Sequence, residues 1–135
     1  MIPKFRAWWI QDEVMTHIDT LEFLQGGIRV SDGCWHEKFL GDEVILMQST
    51  GFHDAKGTEI FVGDIVIHTQ KSINYGDVYH HSYAEVFQQQ NGAYRIRGKD
   101  IYGTDAYGAR KNLKVVGNIY EHAELLNKDR FMTED

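Results

Sequence analysis

The sequence predicts a mainly β fold, and three observations carry that prediction. Thirteen glycines and a single proline punctuate the chain. Between them lie short runs rich in Val, Ile, Tyr and Phe, the residues that suit a pleated, half-buried surface. Two places, Asp54 to Gly57 and Asn91-Gly92, have the residue chemistry of tight reversals between strands. At 135 residues, with 42% hydrophobic and 13% aromatic content, the chain has enough apolar surface for one core and a small annex.

Taken in order, the first element is "FRAWW". Phe5, Ala7 and Trp9 alternate with Arg6 and Trp8, as in a strand covered at least partly on both faces. "THIDTLEFL" then runs into "QGGIRVSDG", where Gly26 and Gly27 permit a reversal and Ile28 and Val30 share one face of the returning strand. "EVILMQ", Glu43 to Gln48, fits a buried strand, although its length leaves a helical turn open. In "HDAKGTEIF" Asp54 starts a type I turn, Ala55 and Lys56 take the corners, and Gly57 takes the left-handed position. "VGD" repeats the punctuation at Gly63 and Asp64, and Ile65 to Ile67 continue as a central strand after a sharp bend.

"YAEVFQQQNGAYRIR" reads as a hairpin with a two-residue type I′ turn at Asn91-Gly92. Gly98 to Asn112 reads as a long loop. "LKVVGNIY" returns to strand character, "HAELLNK" offers a short C-terminal helix, and "MTED" reads as a frayed tail.

Charge and cysteine content narrow the function. A net charge of −6 argues against a general grip on phosphate backbones or anionic membranes, both of which need a basic face. The single cysteine, Cys34, cannot form an internal disulfide, so a reducing, cytoplasmic setting is expected, with Cys34 as a buried or bystander thiol. The first residues contain Lys4, Arg6, Asp12 and Glu13 and so lack the apolar core of a secretory signal. No run reaches the roughly 18 apolar residues of a membrane span.

Four stretches resemble a known family: "KFRAWW", "TLEFLQGGIRVSDG", "LMQSTGFHDAKGTEIFVGDIV" and "LKVVGNIYEHAELL". In content and order they are similar to the YopX-like family of bacteriophage and prophage proteins. One departure is visible, because members often place Asn-Pro ahead of "ELL" where this chain has His122 and Ala123. Loss of such a cap weakens a helix start by about 1 kcal/mol. The resemblance implies a single domain over residues 1–135, with a strand-rich N-terminal part (1–49), an SH3-like small barrel (50–120) and a short helix with its tail (121–135). It also implies residence in a bacterial host and a possible homo-oligomer, but no particular reaction. In that frame Gly51, Gly57, Gly63 and Gly117 are backbone requirements of the fold.

No catalytic residue, cofactor or metal is expected. His80 and His81, adjacent in "VYHHSY", could share an ion only from a loop, and a solvated loop is the simpler reading. The pairs Asp12-Glu13 and Asp42-Glu43 are sequence neighbours that rarely converge, and Ser49, His53 and Asp54 lack a nucleophile elbow. "GGIRVSDG" leads into β-branched residues and not the helix that a phosphate cradle needs.

Two surfaces remain. Trp8, Trp9 and Trp35 are large for so small a chain, and the adjacent pair either leaves indole surface for docking against a second copy or a host or phage protein, or is covered by a second β layer or the Leu125-Leu126 helix. Tyr94, Arg95, Arg97, Lys99, Tyr102, Tyr107, Arg110 and Lys111 form the local basic and aromatic stretch through which single-stranded nucleic acid could be stacked and neutralised. A non-enzymatic protein-binding or self-assembling module is therefore the leading expectation, and a nucleic-acid-associated module is the alternative.

Overall fold

Short β-branched runs broken by glycine become thirteen strands in a computed structural model that describes residues 4–31, 37–39, 44–73 and 76–134. The fold is mainly β. Chain contacts divide it into two units, Met1–Ser49 and Thr50–Asp135.

In the first unit β1 (Phe5–Trp9) lies between β2 (Val14–His17) and the first half of β6 (Val44–His53), antiparallel to both. A second sheet joins β3 (Thr20–Leu24), β4 (Gly27–Ser31) and β5 (Glu37–Phe39) in that order. The core gathers Ala7, Trp9, Val30 and Val44, with Ile18, Leu21, Ile28 and Leu46 packed around them. Alternation on β1 puts Ala7 and Trp9 on one face, and the Trp9 indole N–H donates to Thr16 Oγ1 at 2.5 Å, which satisfies its one buried donor. Of "EVILMQ", Val44 to Gln48 are strand, and the strand extends to His53, while Glu43 lies outside the described residues.

In the second unit β7 (Glu59–Phe61) follows the predicted Asp54 turn, whose Gly57 has φ +85°. Asp54 is buried and does more than start a turn. Its Oδ1 accepts from the amides of Lys56 and Thr58, and its Oδ2 accepts from Val115 at 2.8 Å. One carboxylate thereby fastens the turn to a strand sixty residues away. After the bend at Val62-Gly63 comes β8 (Asp64–Lys71), then β9 (Val78–Gln88), β10 (Tyr94–Gly98), β11 (Ile101–Asp105), α1 (Ala106–Ala109), a 3₁₀ turn (Arg110–Asn112), β12 (Leu113–Asn118), a second 3₁₀ turn (Ala123–Asn127) and β13 (Phe131–Glu134). The sheet order is β11-β10-β9-β8-β12, with β13 also on β9. Ile60, Val66, Ala84, Val86, Ile96, Ile101, Ala106, Ala109 and Leu113 form the core.

Several expectations are corrected. The sheet curls into a half-barrel: β12 pairs with β8, and among the described residues no pairing joins it to β11. Asn91-Gly92 is not a type I′ turn. Gln89 accepts from Gly92 and donates to Ala93, and only the glycine has positive φ, so the reversal is a β-turn closed by a left-handed glycine, as at Asp54–Gly57. Asn91 Oδ1 accepts from the Ala93 amide at 3.0 Å, which holds the asparagine in that conformation.

The stretch Gly98 to Asn112 is structured. Ile101 and Ala106 reach the core, and Asp105 caps α1 by accepting from the Gly108 amide. The expected C-terminal helix is a 3₁₀ turn without a side-chain cap, consistent with His122 standing where a capping residue would serve. The His122 ring accepts from the Asn118 amide instead. "MTED" is not a frayed tail either, since residues up to Glu134 pair with β9.

Candidate functional site

The two tryptophans on β1 do not present a docking face. Trp8 is 8% exposed and Trp9 is 1% exposed, so the expected leftover indole surface is absent at both. Adjacent residues of a strand do point to opposite faces, as anticipated, but each face is covered. Trp35 lies outside the described residues, as do Cys34 and the Asp42-Glu43 pair.

The basic and aromatic residues of 94–111 are spread over β10, β11, α1 and the 3₁₀ turn, and much of their charge is already engaged. Arg95 donates to Gln89 Oε1 at 2.9 Å and to the Gly103 carbonyl at 2.8 Å, tying β10 to β11. Arg97 lies 3.5 Å from Glu85 on β9 and stacks over the Phe87 ring at 4.2 Å. Lys99 pairs with Asp129; this raises the lysine pKa and lowers that of the aspartate, first through their hydrogen bond and then through charge attraction. Arg110 stacks over the Tyr107 ring at 3.9 Å and donates to the Tyr107 carbonyl. Tyr94 and Tyr107 both meet Phe52 edge to face. Lys111 is exposed, and Tyr102 is 89% exposed.

An open groove of about 590 Å³ lies beside Tyr102, lined by Glu85, Arg97, Lys99, Ile101 and Leu126. Its close packing depends on Gly98, where an added Cβ would sit 2.3 Å from the Tyr83 carbonyl oxygen. A mixed lining of one carboxylate, two cations and apolar carbons suits a peptide segment better than a bare phosphate chain.

The structure adds two features that the sequence reading missed. One is the sheet edge on the far side of β9 from β8, which carries β10 and β13 end to end. The other is a buried polar spot on the core side of the β8–β9 ladder, where His68 stands opposite Ser82. Burial lowers the His68 pKa. The two histidines of "VYHHSY" are on β9 and not in a loop, and they project to opposite faces. Among the described residues no three His, Cys, Asp or Glu side chains gather as a metal site would require, and no helix is long and apolar enough to cross a membrane.

Comparison with known proteins agrees with the pattern of strands. The crystal structure of protein EF1440 from Enterococcus faecalis superimposes with a TM-score of 0.61 at 24% sequence identity, over 93% of this chain and 99% of that one, a likeness of fold alone. No curated protein gives a significant match. Residues 4–127 match the family described as YopX protein, which takes in both units apart from the terminal strand, and the chain belongs to that family.

Proposed function

We propose that the protein is a non-enzymatic protein-binding or self-assembling module, with its larger unit an SH3-like barrel left open along one side. The observation that carries this reading is the free side of the half-barrel. β11 and β13 lie on the same side of β9, neither has a described strand beyond it, and they hold Tyr102 (89% exposed) and Met132 (64% exposed) in solvent. Unpaired strand edges template the addition of another strand, and Tyr, Met and Phe are the residue types enriched where proteins meet. A second copy, or a host or phage protein in the bacterial cytoplasm, is the partner this surface fits.

Light scattering over a concentration series tests the self-association arm. A mass above the 15.6 kDa of one chain supports it. A strict monomer at high micromolar concentration, together with no protein retained in a pull-down from lysogenic host lysate, refutes the module.

The nucleic-acid reading draws on one arrangement, Tyr102 exposed beside the Arg97 and Lys99 side chains of the groove. It predicts single-stranded oligonucleotide binding that falls steeply with salt, whereas an apolar protein interface would change little. Flat fluorescence anisotropy with labelled oligonucleotides at low salt removes it.

A further inference from the structure

The last strand is held differently from the rest of the sheet. β13 pairs with the start of β9 in the register Phe131 to His81, Met132 to His80, Thr133 to Tyr79 and Glu134 to Val78. One imidazole reads two of its side chains. The His81 ring stacks on Phe131 at 4.8 Å, and it bridges Thr69 Oγ1 at 2.9 Å and Thr133 Oγ1 at 2.7 Å. Tyr83 completes the aromatic seat, 6.1 Å from Phe131. The acceptor edge thus recognises an extended segment with an aromatic residue and a hydroxyl two positions later.

The hold is nevertheless superficial. Phe131 is 40% exposed and Met132 more so, and Lys128 to Arg130, the connector from the 3₁₀ turn, is exposed throughout. Besides the hydrogen bond from the Lys128 amide to the Leu125 carbonyl at 3.2 Å, the connector has the surface ion pair from Asp129 to Lys99, a class of contact worth little in water. The match to the family covers residues 4–127, which take in the acceptor edge at Val78–His81. Lys128 already has extended backbone, with φ −75° and ψ 143°.

We propose that the β9 edge at Val78–His81 is a strand-acceptor site, and that the C-terminal strand of a second copy occupies it, so that two copies exchange β13. This rests on the self-assembly reading above and places the contact at the β9 edge that β13 covers, inside the free edges of β11 and β13. Every copy carries the same Phe131 and Thr133, so an exchanged strand remakes each contact. The balance between the closed monomer and the exchanged dimer is then set by concentration and by the connector. An extended three-residue connector spans roughly 10 Å, enough to lead the strand away from its own sheet once its turn opens.

Cross-strand disulfides test it. In a Cys34→Ser background, His80→Cys and Met132→Cys are introduced into separate chains of different tag length, and into one chain together, because these two residues face each other in the ladder. The separate chains are mixed, unfolded, refolded together at high micromolar concentration and oxidised with oxidised glutathione. Exchange predicts that the mixed-size dimer dominates on a non-reducing gel, and that adding Phe131→Ala lowers its yield at least tenfold. If the doubly substituted chain closes its disulfide internally at every concentration and the mixed chains do not link, exchange is overturned. Light scattering separates the two claims: an oligomer without inter-chain linkage refutes exchange but leaves self-assembly standing, and a strict monomer refutes both.

Discussion

The two units solve the problem of a small core in different ways. The core cluster of the first joins four buried residues, and Trp9 is the largest of them. The second distributes its core cluster over nine residues, all of them Ile, Leu, Val or Ala, and pins its turns with buried polar groups such as Asp54 and Asp64. A unit centred on one indole fails when that indole is removed. A unit built from many aliphatic contacts and a few carboxylate-to-amide anchors fails most sharply when an anchor is lost. The chain offers a convenient probe of this contrast, because all three tryptophans lie in residues 1–49 and all seven tyrosines in residues 50–135.

The largest effect is expected from Trp9→Ala, about 3 to 5 kcal/mol from lost burial and the cavity left behind. Unfolding in denaturant, followed by the fluorescence of the remaining tryptophans and by tyrosine absorbance, should show the first unit melting ahead of the second. Coincident transitions would mean that the two units share their stability, and the contrast would be lost.

Asp54→Ala is the counterpart in the second unit. It strands the amides of Lys56, Thr58 and Val115, and a loss of about 3 kcal/mol is expected, now in the tyrosine signal first. Gly98→Ala should follow at about 2 kcal/mol, because the new methyl meets the Tyr83 carbonyl and must push β9 and β10 apart.

A smaller, pH-dependent effect is expected at His68. Burial holds its pKa below the ordinary value of 6.5, so over the window between the folded and unfolded pKa values the unfolded chain binds the extra proton. Stability should therefore be complete above pH 6.5 and decline as pH falls through that window. His68→Gln should flatten this part of the profile in pH-dependent urea titrations. The smallest effect belongs to Asp129→Asn: the Lys99 pair is fully exposed, and the midpoint of thermal unfolding should not move.

Much of this architecture was legible in the letters. Alternation in "FRAWW" placed Ala7 and Trp9 on one face, and the turn at Asp54–Gly57 was readable because aspartate and glycine sit where their chemistry is needed. Other parts depended on contacts that local pattern does not encode. Asn91-Gly92 has the strongest local signal for a type I′ turn, yet the Asn91 side chain bonds to the Ala93 amide and a longer reversal results. The Gly-rich stretch 98–112 looked irregular because its strand is short. Asp105 before Ala106 was an available cap signal there, and the burial of Ile101 and Ala106 comes from the sheet they cover.

The candidate surface was the least legible part. The large size of Trp8 and Trp9 suggested docking, and size served the interior instead. The edge proposed for docking carries Phe131 and Met132, in a tail whose composition resembles a frayed end and whose strand character comes from β9.

Hydrogen exchange of the whole chain at low and high protein concentration tests most directly the claim that this edge is where the protein meets its partners. The account predicts that the amides of Phe131–Glu134 exchange faster in dilute solution than those where Ile65–His68 pair with Ser82–Glu85, and gain protection as concentration rises, while the first unit is unchanged. Exchange at those positions that is independent of concentration, or protection that grows in the first unit instead, would contradict it.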